Sequence, residues 1–585
     1  MTRLTNDPAR FADEMLDGFA AACSRWVRAV PGGVIRATVP DEPTVAVVVG
    51  GGSGHYPAFG GLVGQGLAHG AAMGGIFASP SGHQVYDVAV RAQMGRGILL
   101  AYGNYAGDVL NFDQAQARLR AEGFACETVV VTDDVSSAAP AETWRRRGVA
   151  GGLVVFRAAA GAAERGDDLA AVVGVAGRAN ERTRSIGVAF GGCTLPGAAG
   201  PLFTIPAGRM AVGMGIHGEP GLAELETPTA DGLAELLVGR LLAEVPPGVA
   251  VVRGARVAVI LNGLGAVKYE ELFVVYAGIA RRLAAAGIEV VEPEVGELVT
   301  SLDMAGVSLT FAWLDDELEE LWRLPADAPA YRKGSAARDR WRQDVIPGAR
   351  VSPAVAALSP VDPPVPAHAG SVAAARVMLD ALRTARRAID GAAAELGRLD
   401  AVAGDGDHGI GMQRGIAAAV DVLQAACERG LGAGSALAAA AEAWADRAGG
   451  TSGALWGVIL RSVAARLPDD RAPSPQDLAA GIEAAVLEVR RTGGAEPGDK
   501  TMVDAMVPFA RTLGDRLADG RSLADAWRLA AVDAGDAAAT TADMVARVGR
   551  ARPHAERSLG TRDPGAVSFA LVVAAVGGAL EALGD

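Results

Sequence analysis

The sequence predicts an α/β region followed by an all-α domain, and three observations carry that reading. Up to about residue 320, β-branched apolar runs alternate with glycine turns and alanine-rich amphipathic stretches. Between 324 and 370 proline recurs, at Pro325, Pro329, Pro347, Pro353, Pro360, Pro363, Pro364 and Pro366, among small polar residues. From 371 to 585 long alanine and leucine stretches carry arginine and glutamate on the remaining positions, as in SVAAARVMLDALRTARRAIDGAAAELGRL. A chain of 585 residues is too long for one hydrophobic core. The expected division is therefore an α/β domain over 1–323, a Pro-rich linker over 324–370 and a helical domain over 371–585.

The α/β elements follow in order from TVAVVVGGG, RGILLAYGN, ETVVVTDD, VAGGLVVF and ARVAVILNGLG. Several are apolar at nearly every position, which fits strands buried on both faces by crossover helices rather than half-exposed antiparallel ones. Composition narrows the function classes. Half of the residues are hydrophobic and 21% are charged, and no run of about 18 uncharged apolar residues with membrane-type flanks stands out, so no membrane partner is expected. The start MTRLTNDPARFADEM has no apolar signal core, and Cys23, Cys126, Cys193 and Cys427 are scattered without a CxxC pair, which suits a reducing cytoplasm. A net charge of −14 repels nucleic acid and anionic lipid, so neither is expected as a partner.

Chemistry gathers where glycines interrupt the pattern. GGGSGH, Gly50 to His55, leaves the end of a strand, where α/β sheets bind ligands. The backbone of Gly52 and Gly54 can approach a small ligand, with Ser53 and His55 adding donors and acceptors. A tight turn with a surface histidine is the competing reading of that segment. A second strand exit, LLAYGNYAGDVLNF, places Asp108 after a glycine. In MGIHGEPG, His217 lies between glycines that suit no helical core face, which favours function over packing.

In the helical domain, Asp400, Asp405 and Asp407 crowd one short loop, RLDAVAGDGDHGIG. One aspartate suffices for a helix cap; three together repel one another unless a hard cation such as Mg²⁺ neutralises them. The loops AGGTSGALWG and EPGDKTMVDAM each open into a helical pattern, where free amide groups and the Thr451 and Ser452 hydroxyls suit phosphate, although either could be an ordinary cap. Neither has the GxxxxGK[ST] form of a P-loop.

GGGSGH, NYAGDVLNF, GIHGEPG, LNGLG and TSLDMAGVSLT occur in the order found in the ketose-binding domain of dihydroxyacetone kinases, and the resemblance covers nearly all of the first 320 residues. It implies two α/β subdomains, a ketose held as a covalent hemiaminal on His217, Asp108 as general base toward the hydroxyl to be phosphorylated, and His55 assisting by hydrogen bonding. It also implies a substrate pocket of Gly52, Ser53, Gly54, His55, Gly103 and Asp108. GDGDHG, GGTSG, GDKTMVDA and the C-terminal DPGA resemble the same family's nucleotide-binding domain, a helical barrel. That likeness implies ATP, Mg²⁺ on Asp400, Asp405 and Asp407, and nucleotide contacts from His408, Gly409, Ile410, Gly411, Thr451, Ser452, Gly498, Thr501, Met502, Asp563, Pro564 and Gly565. A homodimer with swapped helical domains is implied by resemblance alone.

The departures from the family's commonest form fall around the pocket. The usual Glu-Pro-Ala-His after GGGSGH is Tyr56, Pro57, Ala58, Phe59; a usual lysine is Gly103; and a usual C-terminal lysine and histidine are Val548 and Thr561. A changed wall changes the preferred hydroxyketone, so D- or L-erythrulose competes with dihydroxyacetone as the expected substrate. Two other functions fit a ketose pocket: a sensor without phosphoryl transfer, against which the aspartate triad speaks, and a kinase fed by a phosphoprotein, against which the fusion of both domains speaks.

Overall fold

The structure is a computed structural model, described here over residues 4–219, 221–334, 367–404, 406–548 and 556–583. The chain divides into two units, Met1–Ala357 and Leu358–Asp585.

Two sheets build the first unit. The first contains β1 (Val27–Val30), β2 (Gly33–Arg36), β3 (Thr44–Ser53), β4 (Gly70–Ile76), β5 (Gly95–Gly103) and β6 (Cys126–Val131), in the order β1-β2-β4-β3-β5-β6. Strands β4, β3, β5 and β6 are parallel, while β1 and β2 extend the edge antiparallel. All ten residues of β3 are buried. Its Ala46 and Val48 pack with α2 (Gly82–Ala92) and α3 (Ala106–Ala121), and its Val45, Val47 and Val49 face the opposite way, toward α4 (Gly152–Arg165) and α5 (Leu169–Glu181). A strand covered on both faces has no polar side to write into its sequence, which is why TVAVVV does not alternate.

The second sheet has seven strands: β7 (Thr183–Ala189), β8 (Arg209–Val212), β9 (Ala223–Glu226), β10 (Arg256–Gly263), β11 (Glu289–Val290), β12 (Glu294–Gly296) and β13 (Gly306–Leu314). Its spine β10-β13-β7-β8-β9 is antiparallel throughout, and only β11 and β12 run parallel to β10. The apolar run of β10 therefore reports burial and not strand direction. Val257, Val259 and Leu261 pack under α6 (Ala230–Leu242) and α7 (Tyr269–Ala286), and Ala258 and Ile260 enter the cluster that holds α4.

A second correction concerns VAGGLVVF, expected as a strand. It opens α4, whose residues Gly152 to Ala163 are all buried between the two sheets, and a helix buried all round leaves no periodicity to tell it from a buried strand. The segment given to the linker also starts folded: α8 (Asp316–Arg323) is followed by the pair β14 (Ala326–Asp327) and β15 (Arg332–Lys333), with Ala326, Ala328 and Tyr331 buried. The prolines from Pro347 to Pro366 lie outside the described residues.

The second unit contains, among the described residues, helices α9 (Ala369–Asp400), α10 (His408–Glu428), α11 (Ala433–Ala448), α12 (Gly450–Ala464), α13 (Pro475–Gly493), α14 (Val503–Ala518), α15 (Leu523–Thr540) and α16 (Pro564–Leu583). Each packs on the next, and α9 packs back on α16, so the ring closes into a barrel. Trp456, Phe509, Trp527 and Phe569 fill its axis beside an apolar cavity of about 420 Å³. The last helix corrects the reading that no long apolar run stands out. Pro564–Ala582 has a mean hydropathy of 1.8, enough by length and composition to cross a membrane. In the fold this helix completes the ring, burying Ala566, Phe569, Val572, Val573 and Ala579.

Candidate active site

In the first sheet β3 connects to β4 on one side while β5 lies on the other, so the loops leaving the carboxyl ends of β3 and β5 diverge and open a crevice. A narrow cleft there is lined by Gly51, Gly52 and His55 at the end of β3 and just beyond it, by Gly103, Tyr105 and Asp108 at the end of β5 and just beyond it, and by Val131 at the end of β6. Ile216 and His217, from the loop between β8 and β9 of the second sheet, complete it. Asp108 sits in the first turn of α3 and is buried to 7% exposure, where the helix N-terminus favours its charge.

The histidines are held from behind. His55 Nδ1 donates to the Thr300 carbonyl at 2.8 Å, and its ring stacks on Phe77 with centroids 4.9 Å apart. Thr300 in turn donates its backbone N–H to the His55 carbonyl and its hydroxyl to the Tyr56 carbonyl, which locks the strand exit to the loop before β13. Burial, and then the charge of His217, lowers the pKa of His55 to about 3. The Nε2 atoms of His55 and His217 lie 3.0 Å apart. His217 Nδ1 is 3.1 Å from Glu219 Oε1, and the His217 backbone N–H donates to Oε2 of the same carboxylate at 3.0 Å. Burial alone would raise the pKa of Glu219; the charges of His217 and Arg147 and the hydrogen bond from His217 hold it well below the usual carboxylate range. Gly215 is required by this packing, since a Cβ there would lie 2.1 Å from Glu219 Oε2 and 2.5 Å from an Arg147 nitrogen.

Not every residue expected in this pocket faces it. The Ser53 hydroxyl donates to the Gly74 carbonyl at 2.7 Å, and Gly54, with φ at +101°, packs against Phe77 and Leu302. Gly103 does line the cleft, and a Cβ on it would meet the Tyr105 ring at 3.1 Å and the Gly148 carbonyl at 3.2 Å. Phe59 also lines the wall, its ring over Gly51.

In the helical unit, neighbouring helices alternate in direction, so α10, α12, α14 and α16 all begin at the same end. His408, Thr451, Met502 and Gly565, each at or within one residue of one of those helix starts, border one cleft of about 200 Å³. Four helix N-termini aimed at one space concentrate free amide groups and positive dipole ends, an arrangement suited to phosphates. Opposite charge is gathered there as well: Asp400, Asp407 and Asp563 line the same cleft. Burial and then the charge of Asp400 push the Asp407 pKa up to about 7, and burial likewise pushes Asp563 to about 7. Crowded, half-buried carboxylates, together with a buried Thr451 hydroxyl that has no protein partner, are the donor set a hard divalent cation takes, so the residues present fit Mg²⁺. Among the described residues no group of three metal-ligating side chains is closed, and Asp405, the third expected ligand, lies outside them.

His408 is a buried strut. Its Nε2 is 2.9 Å from the Ser568 hydroxyl, which itself donates to the Gly565 carbonyl; Nε2 is therefore the donor, and Nδ1 accepts from the Ser452 hydroxyl at 3.0 Å. Gly411, Ser452, Thr501 and Pro564 border the cleft, whereas Gly409, Ile410 and Gly498 do not. A Cβ on Gly409 would lie 2.0 Å from the Ala393 carbonyl oxygen, Ile410 is 50% exposed, and the Gly498 N–H caps Asp504. Lys500 was not singled out from the sequence, though it stands inside the GDKTMVDA motif. Its ammonium donates to the Met544 and Ser558 carbonyls and ties the segment before α16 to the cleft it lines.

Two units, each with its own polar cleft, fit a small-ketose kinase, and the chain belongs to the dihydroxyacetone kinase family: it matches the Dak1 domain over residues 17–330 and the DAK2 domain over 402–577. It is 56% identical over 582 residues to the L-erythrulose kinase of Pectobacterium atrosepticum, covering 99% of this chain and 97% of that protein. It is 52% identical over 575 residues to the D-erythrulose kinase of Mycolicibacterium smegmatis, covering 98% and 97%. Among solved structures it resembles the dihydroxyacetone kinase of C. freundii in complex with AMP-PNP and Mg²⁺, with 28% identity, 99% of both chains covered and a TM-score of 0.51.

Proposed function

We propose that this chain phosphorylates a short-chain ketose with ATP, and that the substrate is a tetrulose, D- or L-erythrulose, ahead of dihydroxyacetone. The observation that carries this reading is His217, held by Glu219 so that its Nε2 faces a cleft shared with Asp108. A neutral imidazole nitrogen adds to the ketone carbon, the carbonyl oxygen takes up a proton, and the resulting hemiaminal fixes the chain with one hydroxyl toward Asp108. A polyol such as glycerol has no carbonyl and is excluded. Asp108 accepts the hydroxyl proton as the γ-phosphoryl group of ATP arrives. The erythrulose preference rests on the identity to the two erythrulose kinases and on Gly103, which lines the cleft without a side chain where the family usually carries a lysine.

The helical unit binds the nucleotide, with its phosphates under the four helix N-termini. Asp400 and Asp407, with Asp405 as the third ligand, would hold Mg²⁺. When bound, the ion neutralises phosphate charge. The protein acts as a cytoplasmic homodimer. The test is ADP release from ATP across a ketose panel with a His217→Ala control: turnover of one ketose, lost in the control, supports the reading, and ketose binding without turnover would support the sensor instead.

A further inference from the structure

The hydrogen-bond chain through the two histidines fixes how many protons they carry. At one end the Thr300 carbonyl can only accept, so His55 Nδ1, 2.8 Å away, bears a hydrogen. At the other end Glu219 is ionised and can only accept, so His217 Nδ1, 3.1 Å away, bears one as well. Two neutral rings with both hydrogens on Nδ1 would point bare Nε2 lone pairs at each other across 3.0 Å. That distance is a hydrogen bond only if a third proton lies between them.

We propose that the His55–His217 pair carries three protons and a positive charge in the ketose-free protein, and that Glu219 is the positioning residue that makes this state possible. The charged and titratable groups around the pair are consistent with it. The Glu219 carboxylate touches His217 directly. Arg147 approaches Glu219 at 3.9 Å but is itself engaged by Asp134 at 2.7 Å, so it leaves the carboxylate's charge available to the imidazoles. Asp108 lines the same cleft, and the uncharged rings of Phe77 and Tyr105 pack on the pair, with centroids 4.9 Å from His55 and 4.8 Å from His217. His55 Nδ1 faces only the neutral Thr300 carbonyl, whereas His217 Nδ1 faces the Glu219 carboxylate, so the third proton rests on His217.

This inference rests on the hemiaminal reading for its consequence. As a ketose enters, the shared proton passes from His217 Nε2 to His55 Nε2, which frees the His217 lone pair. That pair forms the C–N bond, the carbonyl π pair moves to oxygen, and His55 Nε2 returns the proton to that oxygen. His55 ends neutral, and His217 ends as an N-alkyl imidazolium whose Nδ1–H still donates to Glu219. The pair is cationic before and after, and Glu219 is the counter-charge in both states. A glutamine at 219 can still accept from Nδ1 but carries no charge.

Two measurements on the full-length chain test this. In ¹⁵N-histidine spectra of the ketose-free protein, assigned with His55→Ala and His217→Ala, both Nδ1 atoms are expected to be protonated, with one further proton on the Nε2 pair. A bare Nδ1 on either ring, or a pair holding only two protons, overturns the proposal. With ketose labelled with ¹³C at the carbonyl and no ATP, Glu219→Gln is expected to lower the affinity for the tetrahedral-carbon adduct roughly ten- to a hundredfold. Adduct formed at wild-type affinity by Glu219→Gln overturns the role of Glu219. A carbon that stays trigonal in the wild type overturns the hemiaminal and the transfer step built on it, and the nitrogen spectra distinguish that failure from a wrong proton count.

Discussion

Glu219 closes a short ring with His217: its Oε2 takes the backbone N–H at 3.0 Å while its Oε1 stands 3.1 Å from Nδ1 of the side chain two residues earlier. One carboxylate thus sets both the backbone and the imidazole of the residue on which the ketose is expected to be held. Gly103 lines the same cleft.

Gly103 sits where a side chain has little room, between the Tyr105 ring and the Gly148 carbonyl. Gly103→Ala is expected to shift that contact into the cleft and to lower kcat/KM roughly tenfold for erythrulose, with a smaller loss for dihydroxyacetone. Steady-state kinetics on both substrates checks the ratio; equal losses would mean that this wall does not read the fourth carbon.

Asp407 lines the cleft under the helix N-termini, its pKa already raised by burial and by Asp400. Asp407→Asn removes a negative charge that the cation would otherwise meet. ATP turnover is expected to fall roughly 10²-fold or more, and chelation of divalent ions should silence the wild type. Binding of labelled ketose to the first unit should be unchanged in both cases, and a loss there would point to misfolding instead.

His69 reports the stability of the first unit. It is fully buried, its Nδ1 accepts from the Val47 N–H at 3.2 Å, and burial followed by the charge of Arg36 lowers its pKa to about 3. The folded protein therefore refuses a proton that the unfolded chain accepts below about pH 6.5. Its contribution is complete above that pH and is lost as the pH falls toward 3, at up to about 1.4 kcal/mol per pH unit. In His69→Asn, whose amide oxygen can still accept from Val47, the fall in unfolding free energy between pH 6 and pH 4 should be shallower than in the wild type by about that slope. Parallel pH profiles would show that His69 titrates normally.

Much of the site was legible because glycines and lone polar residues stand out against apolar strands. His55, Asp108 and His217 were visible as isolated polar residues at strand exits, and the structure brings all three to one cleft. Arg147 and Asp134 were not legible, since each is an ordinary charged residue whose role depends on a loop brought in from the second sheet. Ser53 was misread because a hydroxyl in a glycine-rich exit looks available, and only the fold shows it spent on the Gly74 carbonyl. The direction of β10 and the helical state of α4 were hidden for a common reason: burial on all sides removes the periodicity that separates strand from helix and parallel from antiparallel. The shared end of four helices was implicit in an even count of antiparallel helices, and it accounts for why GDGDHG, GGTSG, GDKTMVDA and DPGA, far apart in sequence, meet at one cleft.

The most direct test of the account is ADP release from Mg-ATP by the full-length protein with D-erythrulose, L-erythrulose, dihydroxyacetone, glyceraldehyde and glycerol, each repeated with His217→Ala. The account predicts turnover with one erythrulose enantiomer above dihydroxyacetone, none with glycerol, and loss of turnover in the variant. Silence across the panel, or turnover that survives His217→Ala undiminished, would contradict it.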